Sequence, residues 1–531
     1  MREANMNRQS RDREHMLAAL SNAGAYPHPA DDLVHLHTHI SDVFLAGAYA
    51  YKVKKPVELG FLDFTALSSR RQACEDEVRL NRRLAPQIYL GVVPIQDVGG
   101  NFKVGSGPDD RGAEVSDYAV KMVRMPQEGM LDRLAAAGKL DHDQMRDVAR
   151  QLARFHGLAE HGPHIDLYGN LDNIADHVRQ NFAQTEPYIG RTITRSQFEC
   201  IRSYTQDFMH TNASLFSARV SAGRIVDGHG DLHLRNMCLY GDAVVIFDCI
   251  EFSQRFRAGD VIGDIAFLTM DLDARNLPRL GNCFLNEYLQ RTDDYAGLAV
   301  LDFYQTYRAC VRGKVASFLL ESASSEARRL AAANEASHYF NLAREYTTGR
   351  AGGLLITCGP SASGKTTIAR QAAEAVGGIT VRSDAVRKHL AGLHLEQHQA
   401  TSYARGIYST EMTEQTYKTL LQNAREIVSS GRWAILDATF LRRAYRLQAA
   451  ALARSLGTAF GIICCCTPRS ELERRLDLRS RTQEDISDAT HAVLHQQLQD
   501  FEAPQRDEAE MFFWTGTEDP VPWIRQLARA S

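Results

Sequence analysis

The chain has 531 residues, 44% hydrophobic and 24% charged, with a formal net charge of −4 at neutral pH. That length allows two to four domains, each able to bury its own core. The charge balance excludes a global pull toward nucleic acid, and no run approaches the ~18 apolar residues of a membrane span. The first residues, MREANMNRQSRDREHM, are polar and lack the apolar stretch of a secretory signal. Ten scattered cysteines include no C-x-x-C pair, so they suggest neither a zinc site nor a disulfide framework, and the cytoplasm is the expected compartment.

Residues 1–24 read as a tail. From Leu33 to Pro56 the text is strand-like, with Val43–Leu45 and Ala48–Val53 forming two strands around the turn Ala46-Gly47. A helix over about Ser68–Leu84 carries Glu75 and Glu77, and strands follow at Tyr89–Val93 and Tyr118–Met122. From Asp141 to Tyr346 the apolar period is mostly helical. One island interrupts it: Ile225–Phe252 reads strand, polar loop, strand, Gly241-Asp242 turn, strand, acid. Residues 347–353, TTGRAGG, read as a linker. Beyond it, apolar strands at Leu354–Thr357, Ile379–Val381, Trp433–Leu436 and Phe460–Cys465 alternate with helices, the pattern of a parallel α/β sheet.

Two stretches carry chemistry. In the first, the polar loop HGDLHLRN sets Asp231 five residues before Asn236, and a hairpin then leads to Asp248. Phosphoryl transfer to a hydroxyl needs an acid to receive its proton and ligands to hold Mg²⁺ against the phosphates. Asp231 suits the first role. Asn236 and Asp248, hard oxygen donors, suit the second. Lys52 paired with Glu77 would hold the nucleotide phosphates, with Lys54 and Glu75 as alternates. A metal site made of His229, Asp231 and His233 is a rival reading of the same loop, and turn residues around a hairpin is another.

The second stretch, LLITCGPSASGKTTIAR, fits G-x-x-x-x-G-K-[ST] with a strand before it and a helix after it. Gly359, Ser361, Ala362, Ser363, Gly364, Lys365, Thr366 and Thr367 would cradle phosphates on backbone amides and a helix N-terminus. Lys365 would reach the β/γ-phosphates and Thr366 would sit on Mg²⁺. Asp384 follows the next strand and is a candidate base or a helix N-cap. Arg387 could hold an anionic acceptor. Asp437 ends an apolar strand and would steady Mg²⁺. Arg474, Arg475, Arg479 and Arg481 form either a lid, with Arg475 and Arg479 as catalytic candidates, or a solvated helix face.

The strand ending in Tyr-Lys-x-Lys, HGDLHLRN, IFDCIEF and GDVIGDIAFL resemble the lysine strand, catalytic loop and metal-binding segment of the aminoglycoside phosphotransferase and choline kinase-like family. The resemblance implies a bilobal protein-kinase-like domain over residues 25–346, an α+β lobe plus a helical lobe, with Asp264 as a structural helix anchor. The glycine-poor THISDVFLAG departs from that family's phosphate loop. GPSASGKTT, RSDAVRK, LDATFLRR and the arginine-rich segment resemble P-loop kinases of the gluconate kinase, zeta toxin and polynucleotide kinase group, implying a P-loop α/β domain over 354–531. The order of both halves resembles bacterial fusions of the two.

The expected protein is a bifunctional ATP- and Mg²⁺-dependent phosphotransferase acting on hydroxylated small molecules. One alternative is that the P-loop half phosphorylates nucleic-acid 5′-hydroxyls or a nucleotide-sugar, which would need a basic groove, with Lys388, His389, His394 and His398 as its candidate residues. Another is a regulator in which one domain binds nucleotide without turnover.

Overall fold

The computed structural model describes residues 12–60, 62–105, 114–397, 409–482, 490–509, 511–515 and 519–530. Among them two compact units separate. One takes its described residues from the ranges 1–140, 155–168 and 223–264, and the other from 141–154, 169–222 and 265–531. These units do not follow the expected linker at 347–353: most of the helical segment clusters with the C-terminal sheet.

In the first unit six strands form an antiparallel sheet in the order β1-β2-β3-β6-β4-β5. They are β1 (Val34–His37), β2 (Ser41–Ala46), β3 (Tyr49–Lys54), β4 (Tyr89–Val98), β5 (Asn101–Val104) and β6 (Glu114–Val123). Gly47 turns β2 into β3 at φ +55°, where a Cβ would lie 2.3 Å from the Pro29 carbonyl oxygen. Helix α1 (Leu67–Asn81) buries Arg70, Ala73, Cys74, Glu77, Val78 and Asn81, a stripe at helical spacing that carries charge into the interior. The expected tail is corrected in part. Residues 12–20 are helical, and Met16 and Leu20, one turn apart, are buried against Phe44, Tyr51 and Val53.

The Ile225–Phe252 island folds as β7 (Ile225–Asp227) and the hairpin β8 (Met237–Tyr240) with β9 (Ala243–Ile246). Strand β10 (Ala258–Asp260), which was not expected, pairs antiparallel with β7 and leads into α2 (Val261–Ala274).

In the second unit α3 (Pro278–Thr292), α4 (Leu298–Ser322) and α5 (Glu326–Tyr346) precede an all-parallel sheet in the order β12-β13-β11-β14-β15. Its strands are β11 (Gly353–Cys358), β12 (Ile379–Arg382), β13 (Trp433–Asp437), β14 (Ala459–Cys465) and β15 (Met511–Thr515). The four expected strands are present, and β15 adds a fifth. Strand β11 is buried at every position, as befits a strand covered on both faces. It has β13 on one side and β14 on the other, so the loop after it opens at a topological switch point. Helices α6 (Lys365–Val376), α7 (Ser383–Leu390), α8 (Thr410–Ser429) and α9 (Arg469–Thr482) complete the surroundings of that loop.

Candidate active sites

On β3, Lys52 and Lys54 alternate with Val53 and so share a face. Glu77 of α1 meets both. Lys52 Nζ donates to Glu77 Oε1 at 2.9 Å and to Asp248 Oδ1 at 2.6 Å. Lys54 Nζ donates to Glu77 Oε2 and to Glu251. Both lysines therefore engage Glu77, whereas Glu75 turns outward to Arg71 at 2.8 Å. Burial alone would lower Lys52, but Asp248 and Glu77 outweigh it and hold the ammonium well above the usual lysine range. Burial works against ionised Glu77 as well, and the two lysines overcome it, bringing its pKa down to about 2. Glu251 was not anticipated in this cluster; the only hint was its place three residues after Asp248.

The loop after β7 is tied down by groups other than the chemical ones. Asp264, at the start of α2, accepts the backbone N–H of His229 at 2.8 Å and of Gly230 at 2.9 Å. His229 Nε2 bonds the Phe247 carbonyl at 3.0 Å, and its Nδ1 accepts the Asp231 N–H at 3.3 Å. That pattern requires the neutral ring protonated on Nε2, consistent with burial lowering its pKa. His229 is thus a scaffold, and the rival metal site of His229, Asp231 and His233 is not assembled, because both His229 nitrogens are engaged. Arg83, missed by sequence reading, donates to the carbonyls of Asp227 at 2.8 Å and Gly228 at 2.9 Å.

Asn236 Nδ2 donates to Asp231 Oδ2 and to the Asp231 carbonyl, both at 3.0 Å. The Asp231 side chain stays 37% exposed. Asp248 adopts φ +62°, a conformation that costs a non-glycine residue about 1–3 kcal/mol and that clusters at functional sites.

In the second unit the phosphate loop turns through Gly359 (φ +137°), Ala362 (φ +64°) and Gly364 (φ +94°). Lys365 Nζ donates to the Pro360 carbonyl at 2.6 Å, and burial lowers its pKa against the opposing pull of Asp437. Thr366 Oγ1 donates to Asp437 Oδ2 at 2.7 Å. Arg382, a residue sequence reading passed over, places Nε 3.4 Å from the same oxygen, because it stands opposite Asp437 in the β12–β13 register.

A cavity of about 430 Å³ opens here, lined by Lys365, Thr366, Asp384, Arg387, Tyr417 and Asp437 among others. Asp384 lies in the first turn of α7, one residue inside the helix; the cap position belongs to Arg382, so the N-cap reading is corrected. Tyr417 of α8 stacks on Tyr445 at 3.9 Å and accepts the Phe440 N–H, so it both packs and lines the cavity.

On the other side of the loop, Arg475 donates to the Ala362 carbonyl at 3.3 Å and to Glu471 at 2.7 Å. Arg474 pairs with Glu471 on the exposed face. The side chains of Arg479 and Arg481 lie outside the described residues, although both positions are helical. Thr367 and Ser363 line the cleft that Arg475 borders. Gln497, also missed, accepts the Ser361 N–H at 2.8 Å.

Lys388 is buried and donates to the Leu395 carbonyl, and His389 bonds the Gln290 carbonyl at 2.9 Å. These two residues therefore build no basic groove. His398 lies outside the described residues.

The family model described as "AAA domain" matches residues 354–504. Over 469 residues the chain is 30% identical to the uncharacterized protein Rv2004c of Mycobacterium tuberculosis and to the uncharacterized protein Mb2027c of Mycobacterium bovis, covering 88% of this chain and 91% of each relative. The chain belongs to the family of these mycobacterial proteins. The match spans both units. Among solved structures, a choline/ethanolamine kinase family protein from Mesorhizobium loti aligns with 62% of this chain and 99% of its own at 12% identity and a TM-score of 0.36. A gluconokinase from Sinorhizobium meliloti 1021 aligns with 34% of this chain and 91% of its own at 21% identity and a TM-score of 0.24.

Proposed function

We propose that the chain is a bifunctional ATP-dependent phosphotransferase, with one site at Lys52–Glu77–Asp231–Asp248 and another at the phosphate loop, each acting on a hydroxyl of a small molecule. The observation that carries the reading is that Lys365, Thr366, Asp437 and Asp384 share one 430 Å³ cavity, large enough for an acceptor beside the phosphates. In each site the γ-phosphoryl group passes from ADP's oxygen to the acceptor oxygen, and the acceptor's proton goes to a carboxylate, Asp384 or Asp231.

The oxygen donors present suit Mg²⁺. Thr366 and Asp437 would hold it in the P-loop site, Asn236 and Asp248 in the other, and it would supply charge neutralisation on the phosphates. At the P-loop site Lys365 gathers phosphate charge from one side and Arg475 borders the loop from the other. Arg387 gives the cavity a cation for an anionic acceptor. At the kinase-like site Lys52, fixed by Glu77, presents its ammonium toward Asp248.

Labelled ATP incubated with a metabolite extract tests this. Lys365→Ala and Asp231→Asn are each expected to abolish a different subset of labelled products. If both variants leave every product unchanged, and the chain only hydrolyses ATP, the bifunctional reading fails. If one variant has no effect on products, that domain is a nucleotide-binding regulator.

A further inference from the structure

On the face of the antiparallel sheet that carries the N-terminal helical segment, three side chains converge that neither phosphoryl-transfer site uses. His35 and His37 alternate on β1, so both rings stand on one face, with their centroids 4.0 Å apart. Asp42 of β2 stands directly opposite His37 in the ladder. His37 Nδ1 lies 2.9 Å and His35 Nε2 3.2 Å from the same carboxylate oxygen, Asp42 Oδ1, and the three atoms all fall within 4.8 Å of one another. Among the described residues this is the one group of histidine, cysteine and carboxylate side chains with such convergence. A tetrahedral zinc ion with bonds of about 2.0–2.2 Å sets its ligand atoms roughly 3.4 Å apart, and the two nitrogen–oxygen distances here are 2.9 and 3.2 Å.

We propose that His35, His37 and Asp42 form a binding site for a zinc-class divalent cation, separate from the Mg²⁺ sites of phosphoryl transfer. Two imidazoles and one carboxylate suit zinc and disfavour Mg²⁺, which takes oxygen ligands. The surroundings fix the ligands. His35 stacks on Phe44 with centroids 4.2 Å apart, and Arg13 donates to the second carboxylate oxygen, Asp42 Oδ2, at 2.8 Å. Arg13 thereby orients Oδ1 toward the two rings, as an outer partner orients a metal-bound carboxylate. The Lys55 ammonium, 4.0 Å from Oδ1, donates to the Thr38 carbonyl at 2.6 Å and is held there. The metal replaces the ring protons that point at Oδ1, the rings changing tautomer. His37 is 65% exposed, which leaves an open side for entry and for a water as fourth ligand. The ion ties the edge strand β1 to β2 at both ends of the glycine-free turn between them.

The test uses full-length, tag-free protein stripped with a chelator, then titrated with Zn²⁺ by calorimetry and with Co²⁺ by visible absorbance. One equivalent is expected to bind, with d–d bands and no thiolate charge-transfer band, and Zn²⁺ should raise the thermal midpoint. His37→Ala, at an exposed position, should keep the circular dichroism spectrum and weaken Zn²⁺ binding by at least about tenfold; Asp42→Asn should do the same. Unchanged affinity in His37→Ala, a thiolate band, or no saturable binding by the wild-type protein would each overturn the proposal.

Discussion

Glu77 stands between two lysines in the interior, and removing its charge leaves Lys52 with Asp248 alone and Lys54 with Glu251 alone. Breaking a buried pair from one side costs up to about 3–5 kcal/mol, so Glu77→Gln should lower the unfolding free energy by no more than that, read by denaturant titration, as well as impair the site beside it. The acid dependence has a definite sign. The folded-state pKa of Glu77 is depressed from the ordinary 4.5 to about 2, so its contribution to stability is complete above 4.5 and is lost as the pH falls toward 2. Denaturant titrations at about pH 6 and about pH 3 should show a lower midpoint at the acid end, and Glu77→Gln should shrink that difference. Asp231 makes a contrasting case at the same scale. It is half exposed and holds little of the fold, so Asp231→Asn should leave the midpoint near that of the wild type while lowering kcat by about 10²–10⁴-fold. Finding the loss in KM alone would remove Asp231 from the role of base.

The decisive element of the C-terminal part is the turn between β11 and α6. Gly359 adopts φ +137°, and a Cβ there would sit 2.7 Å from the Cys465 carbonyl oxygen of β14. Gly359→Ala must therefore move either the loop or β14. It should cost about 1–3 kcal/mol and weaken nucleotide binding, read by calorimetry with a non-hydrolysable ATP analogue. The Lys365→Ala substitution should differ in kind. Removing a lysine whose burial already disfavours its charge should leave the fold intact and reduce turnover at this site by about 10²–10³-fold. Much of this element is legible without coordinates, because glycine spacing, the following Lys-Thr and an uninterrupted apolar run all impose one local geometry. Arg382 and Gln497 are not legible in that way. Arg382 meets Asp437 through a strand register and Gln497 meets the loop from a helix distant in sequence, and neither sits in a pattern that a local reading recognises.

Within the second unit, helix α3 covers the outer edge of the parallel sheet. The Asn286 amide oxygen accepts both the N–H and the hydroxyl of Thr380 on β12, and the amide nitrogens of Asn282 and Asn286 reach the Gly378 carbonyl at 2.8 and 3.0 Å. Arg432, buried just before β13, pairs with Asp302 of α4. An exposed edge strand is an aggregation hazard, and here side chains from the helical segment satisfy it. The isolated fragment 354–531 should accordingly be less soluble and less stable than the same residues in the full chain, as limited proteolysis and scanning calorimetry would show. Asn286→Ala in the full chain should cost about 1–3 kcal/mol by leaving the Thr380 N–H without its acceptor.

The sequence by itself determined the parts whose physics is local. The phosphate loop follows from glycine conformational freedom, the parallel strands from unbroken apolar runs, and the acid–amide–acid spacing of Asp231, Asn236 and Asp248 from one continuous loop and hairpin. Tertiary structure decided what depends on register and on distant partners. It set Glu77 rather than Glu75 against both lysines, because only the inward face of α1 meets β3. It drew Glu251 into that cluster and turned His229 into a scaffold. It brought His35, His37 and Asp42 to one point through a cross-strand pairing. It also grouped most of the helical segment with the parallel sheet across a linker that composition alone marks as a boundary. Such outcomes escape a local reading because a hydrogen bond or ion pair between separate strands and helices leaves no periodicity in the chain that makes it.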